Sequence, residues 1–131
     1  METKKRVGAI IIQKGKLLLV RGKGFKELWI PGGKIEVESE EECLKREIKE
    51  EIGVTIKNIK FFGEFSSPSF YSQTFTINRI YLGEINNNPT PQNEIEDIIW
   101  LSKEDFINKK FPMIPLIKKE IIPAIISAGY F

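Results

Sequence analysis

The 131-residue sequence predicts an α+β domain in which a mixed β-sheet is covered by helices. Three observations carry this. β-rich runs open the chain and return in its second half. One strongly patterned helix lies between them, and the C-terminal segment is apolar with helical spacing. A chain of this length supports one core, so residues 1–131 are read as a single domain.

The elements follow in order. Val7–Ile12 and Lys16–Arg21 are β-rich runs around Gln13-Lys14-Gly15, a short hairpin with glycine at the turn. A glycine-containing connection (Gly22, Gly24) leads to Leu28-Trp29-Ile30 and the loop Pro31-Gly32-Gly33. Ser39–Gly53 predicts a helix. Ser39 is a good N-cap, Glu42 would complete a capping box, and Glu40, Glu41 and Glu42 suit the positive end of the dipole. Gly53 suits the C′ position. A strand is expected near Ile59–Phe65, then a loop at Ser66-Ser67-Pro68-Ser69, then a long strand over Gln73–Ile85. Asn86–Asn93, with four Asn and two Pro, reads as a loop. Ile95–Leu101 is the last strand, Ser102 caps a short helix through Phe106, and Ile114–Ser127 is an apolar helix with Pro115 in its first turn and a disturbance near Pro123. The tail Ala128-Gly129-Tyr130-Phe131 can pack on its own core or on a second subunit.

Composition narrows the function. The net charge is +2 with both signs mixed, which argues against a polynucleotide groove or an acidic interaction tail. The apolar run Val7–Ile12 is too short for a signal-peptide core, and no segment is long enough to span a bilayer, so a cytoplasmic protein without membrane contact is expected. Cys43 is the single cysteine and has no internal disulfide partner. Histidine is absent, which removes Ser-His-Asp and Cys-His chemistry. Catalysis must then rest on carboxylates, Lys, Tyr or water, and carboxylates select hard cations.

The informative segment is Arg46-Glu47-Ile48-Lys49-Glu50-Glu51. On a helix, Glu47, Glu50 and Glu51 stand at i, i+3 and i+4 and share a face. Leu44, Ile48 and Ile52 form an adjacent apolar stripe that anchors the helix, leaving Lys45 and Lys49 to solvent. Crowded carboxylates repel one another unless a cation sits among them, and an all-oxygen cluster suits Mg²⁺. A Glu/Lys-rich helix is also the ordinary makeup of a solvated face. The preceding Pro-Gly-Gly turn, which lets backbone come close to a ligand, favours the metal reading.

Gly32, Glu38 after five residues, and after seven more Arg46-Glu47-Ile48-x-Glu50-Glu51-x-Gly53-Val54 resemble the signature box of the Nudix hydrolases, and Leu28–Gly33 resembles its lead-in. The resemblance implies an α/β/α sandwich around a mixed sheet. It also implies a hydrolase of acid anhydrides, in which water attacks phosphorus within a diphosphate linkage with the help of Mg²⁺, Mn²⁺ being a workable substitute. Carried over by position, Glu47, Glu50 and Glu51 would be metal ligands, and Glu50 or Glu47 the base. Arg46 would orient a catalytic carboxylate, and Glu38 would order the loop or an outer ligand shell. Glu94, six residues before Trp100, is preferred over Glu96 as a further ligand. One departure is clear: from Gly33 to Glu38 the loop is one residue shorter than the family frame. The carbonyl that would meet metal therefore belongs to Gly32 or Gly33.

Arg21 and Lys34 are placed to meet phosphates, and Phe70 and Tyr71 to stack on a base, while Trp29 reads as packing and Cys43 as a small buried hydrophobe. Downstream, Ser67-Pro68-Ser69-Phe70 resembles a stretch of ADP-ribose pyrophosphatases, and the position of Tyr71 resembles diadenosine polyphosphate hydrolases. The small size resembles MutT-like nucleoside triphosphate pyrophosphohydrolases, the preferred class, with ADP-ribose next. The expected partner is a small nucleotide, with no polymeric nucleic acid, acting on a monomer or homodimer. The competing readings are a non-catalytic nucleotide-binding Nudix module and a purely structural domain.

Overall fold

A computed structural model of the chain describes residues 2–68 and 73–131. Phe70 and Tyr71 lie outside these residues, as does Ser69. The first strand, β1, spans Glu2–Ile10 and is longer than its apolar run. Its charged start is held by nine parallel pairings to β6 (Thr74–Ile85), from Glu2–Thr74 to Ile10–Leu82. Long-range pairing here overrides weak local β-propensity. After Ile11 the chain leaves this sheet and enters another. β2 (Ile12–Gln13) pairs with β3 (Lys16–Gly22) across Lys14 and Gly15. Both turn residues have positive φ, 52° and 73°, as a twisted two-residue hairpin requires.

The larger sheet is mixed, in the order β4-β1-β6-β5, with β4 at Gly32–Lys34 and β5 at Ile56–Pro68. The expected loop at Ser66–Pro68 is the end of β5 instead, paired to Phe75, Thr76 and Ile77. β5 is an edge strand, where proline needs no ladder partner. The second sheet, β2-β3-β7, is antiparallel, with β7 at Ile95–Ser102. One helix, α1 (Glu40–Ile52), covers one face, and the C-terminal helical segment covers the other.

Strand alternation divides the core accordingly. Val7, Ala9, Ile11, Leu18 and Val20 pack with Leu44, Ile48 and Ile52 of α1. Ile10, Leu17, Leu19 and Leu101 pack with Ile117, Ile121 and Ile125. Every one of these side chains except Val7 and Ile117 is at most 1% exposed, so each helix is fixed by close packing rather than by propensity.

Ser102 caps α2 (Lys103–Ile107) in a full capping box with Asp105. Near the C-terminus a π-helical turn, Ile117–Ile121, runs into α3 (Ile122–Ser127). The Ile122 N–H reaches back to the Ile117 carbonyl, one residue further than in an α-helix. Pro123 explains the bulge, because its ring crowds the carbonyl four residues before it. The terminal residues pack on their own fold: Tyr130 meets Phe62 edge-on at 6.1 Å, and Phe131 rests on the second core cluster. Among the described residues, no helix is long and apolar enough to cross a membrane.

Candidate active site

The site is built on α1 and the short strand β4. Ser39 caps the helix as expected, its Oγ accepting the Glu42 N–H at 3.2 Å. The reciprocal half of the capping box is replaced by a bond from Ser39 Oγ to the Glu42 carboxylate at 3.0 Å. Gly53 ends the helix with φ 72°, its N–H on the Lys49 carbonyl. The loop after β6 closes over this end. Thr90 N–H meets the Ile52 carbonyl, Gln92 N–H the Glu51 carbonyl and Asn93 Nδ2 the Glu50 carbonyl, so the orphan acceptors of the last turn are satisfied. That docking carries Glu94 to the helix.

β4 pairs with β1 through Arg6–Lys34, Val7–Gly33 and Gly8–Gly32, which sets the two glycines against α1. A Cβ on Gly33 would stand 1.9 Å from Glu47 Oε2, and one on Gly32 would stand 2.0 Å from the Val7 carbonyl oxygen. Only glycine permits this approach of backbone to carboxylate. Glu51 is 8% exposed, and its Oε1 accepts the Gly32 N–H at 2.9 Å. Burial dominates its ionisation, Glu47 and Glu94 add repulsion, and the carboxyl is pushed up to about 8. Burial likewise raises Glu47, partly offset by Arg46.

Arg46 gathers the remaining acids. It binds Glu38 Oε1 at 2.8 Å through Nε, Glu47 Oε1 at 2.9 Å and Glu50 Oε2 at 3.3 Å. Glu38 is held below the usual carboxylate range by its own backbone N–H and by Arg46. The shortened loop therefore still delivers Glu38 to Arg46, and it does so by leaving Val37 wholly in solvent. Glu50 is half exposed, against 15% for Glu47, and lies toward Arg46. Among the described residues, no three acidic side chains are gathered closely enough to hold a metal ion without rearrangement.

A cleft of about 300 Å³ brings together Gly32, Gly33, Lys34, Glu47, Glu51 and Glu94, with Arg46 and Glu36 at its sides. Arg21 is not part of it; its guanidinium is paired with Asp97 on the neighbouring strand. Cys43 is buried, its Sγ on the Lys34 carbonyl at 3.4 Å, and burial pushes the thiol up, which fits a packing role. Behind the helix, Arg79 stacks on Phe61 at 4.3 Å and binds Glu40 and Glu64, while Tyr81 donates to Glu40. This ties the first turn of α1 to the sheet.

A larger groove of about 730 Å³ adjoins the cleft, lined by strands β1 and β6 and by the C-terminal helical segment. Arg6 and Trp29 line both spaces, and Phe25 meets Trp29 edge-on at 5.8 Å. Sequence reasoning did not find Arg6. The only signal was alternation with Lys4 and Gly8 along a strand whose charged start did not read as a strand. Trp29, expected to serve packing alone, also walls the groove.

The NUDIX domain model matches residues 2–125. The chain belongs to the NUDIX family. Nudix hydrolases act on pyrophosphate bonds of nucleotide derivatives. The chain is 41% identical over 69 residues to the NAD-capped RNA hydrolase NudC of Pseudomonas putida, covering 52% of this chain and 24% of that protein. It is 34% identical over 103 residues to the protein of the same name from Pseudomonas aeruginosa, covering 71% and 34%. The matches thus span about a quarter to a third of the curated relatives. The MutT protein of Methanosarcina mazei superposes with a TM-score of 0.83 at 20% identity, covering 98% of this chain and 96% of that one, a likeness of fold alone.

Proposed function

We propose that this Nudix hydrolase takes a nucleoside triphosphate and releases pyrophosphate, with Mg²⁺, or Mn²⁺ in its place, held between α1 and β4. The observation that carries the reading is the junction of two unlike spaces: an acidic cleft at Glu47 and Glu51, and a wide groove beside it walled by aromatic and apolar side chains. A phosphate chain suits the first once a cation is present, and a nucleoside suits the second. The groove joins the cleft at Arg6 and Trp29, whereas the rest of the cleft wall is charged, with Lys34, Glu36, Arg46 and Glu94 beside Glu47 and Glu51. That asymmetry fits one nucleoside with a phosphate tail.

The residues fit a hard cation. Glu51 is a buried carboxyl kept protonated near neutrality by its surroundings, beside a second raised carboxyl, and both are acid oxygens that a dication would charge. Glu47 and Glu51 would hold the ion, with a carbonyl of Gly32 or Gly33, with Glu94, and with Glu50 once it turns from Arg46. A bound dication would neutralise phosphoryl charge and make water a better nucleophile at neutral pH. Arg46 fixes Glu47 and Glu38, and Glu50 or Glu47 accepts the proton of the attacking water.

The likeness to proteins named NAD-capped RNA hydrolase favours a second reading, a dinucleotide diphosphate. The exclusion of polymeric nucleic acid drawn from charge balance is therefore not retained. ADP-ribose, dinucleoside polyphosphates and a non-catalytic binding module complete the set. A panel of nucleoside triphosphates, ADP-ribose, NADH and diadenosine polyphosphates, assayed with and without Mg²⁺, decides among them. Nucleoside monophosphate and pyrophosphate from a triphosphate are expected. Faster turnover of a dinucleotide would replace the first reading, and binding without hydrolysis anywhere would leave the module.

A further inference from the structure

We infer that Arg6 is a substrate-binding residue that grips the phosphate nearest the nucleoside. This rests on the proposed nucleotide substrate. The chain has four arginines. Arg21 is paired with Asp97, Arg46 with Glu38, Glu47 and Glu50, and Arg79 with Glu40 and Glu64. Arg6 has no side-chain hydrogen bond or ion pair among the described residues, although it is half-buried. A guanidinium partly removed from water without an anion is unfavourable, and a ligand anion is the natural partner.

Its position says which anion. Arg6 sits in the middle of β1, paired to Lys34 on β4 and to Asn78 on β6. Its side chain lines the acidic cleft and the groove together, and its charge acts on Glu51. A nucleotide with its base along the groove and its reacting diphosphate in the cleft must pass its first phosphate across this junction. The five N–H donors of Arg6 match phosphate oxygens there. The contact is made in ground state and transition state alike, so it governs affinity more than turnover.

The test compares the whole chain with Arg6→Gln and Arg6→Lys. The eight common ribo- and deoxyribonucleoside triphosphates are assayed with Mg²⁺, and binding of α,β-methylene ATP and of adenosine is followed by calorimetry. Arg6→Gln should raise KM on the order of 10- to 100-fold with kcat within a few-fold, and weaken the methylene analogue in parallel. Arg6→Lys should restore part of the loss. Adenosine, lacking phosphate, should bind all three alike. Unligated Arg6→Gln should melt close to wild type, since no side-chain hydrogen bond or ion pair among the described residues is lost. Wild-type KM and analogue affinity in Arg6→Gln overturn the inference while leaving the hydrolase reading in place. Analogue binding that depends on Arg6, without hydrolysis by wild type, supports the inference and sinks that reading; no binding by wild type sinks both. Should Arg6→Gln not fold, an unchanged KM in Arg6→Lys together with unchanged salt dependence overturns it.

Discussion

Replacing Glu51 by Gln should make the metal-free protein more stable while removing its response to Mg²⁺. Glu51 is buried and its carboxyl is pushed from an ordinary 4.5 to about 8, mainly by burial. The folded state therefore keeps a proton that the unfolded state gives up. Stability supplied by the neutral acid is full below pH 4.5 and is lost as pH rises to about 8. At about 1.36 kcal/mol per unit, the loss between pH 5 and 7.5 is on the order of 3 kcal/mol. Glutamine is neutral throughout and keeps an oxygen for the Gly32 N–H. With chelator present, urea midpoints of wild type and Glu51→Gln should be close at pH 5 and diverge by roughly 1–3 M at pH 7.5, the variant being the more resistant. Added Mg²⁺ should raise the wild-type midpoint at pH 7.5 and leave the variant unmoved. Parallel pH profiles, or equal gains from Mg²⁺, would refute the reasoning.

Four further substitutions test the same geometry. Gly33→Ala meets the Glu47 side chain from Oε2 to Cγ and no backbone, so it should fold with that carboxylate turned away and lose about tenfold or more in Mg²⁺ affinity, read by calorimetry; Gly32→Ala meets backbone at Val7 and should lose the fold, read by circular dichroism. Arg46→Lys keeps the charge but not the fork that joins Glu38 to Glu47, and kcat should fall about tenfold or more with KM little changed in steady-state assays. Tyr81→Phe removes the hydroxyl bond to Glu40 and should cost about 1 kcal/mol in urea unfolding, with turnover within a few-fold of wild type.

Local signals in the sequence were enough wherever the structure is decided locally. Ser39, Gly53 and the stripe Leu44-Ile48-Ile52 specify α1 within one segment, and Pro123 announces its own disturbance. The mixed α+β fold followed from the order of such elements. Long-range pairing was less legible. The charged start of β1 is a strand only because β6 lies beside it, and Ser66–Pro68 is a strand only because it is an edge. The division into two sheets turns on Ile11, where nothing in the residue itself marks a departure. At the site, the spacing of Glu47 and Glu51 gave their shared face, but not that Glu51 is buried under Gly32 while Glu50 leans to Arg46. Arg21 looked like a phosphate ligand because its partner Asp97 is 76 residues away. Arg6 was passed over because its isolation is a property of three-dimensional neighbours.

The proposed chemistry requires a dication site formed by Glu47 and Glu51 against Gly32 and Gly33. Electron paramagnetic resonance of Mn²⁺ titrated into the wild-type chain and into Glu51→Gln at pH 8 measures this directly. Wild type should take up Mn²⁺ in stoichiometric amount and release it to excess Mg²⁺, while the variant leaves the ion free in solution. Equal uptake by both proteins would contradict the site, and so would no uptake by either.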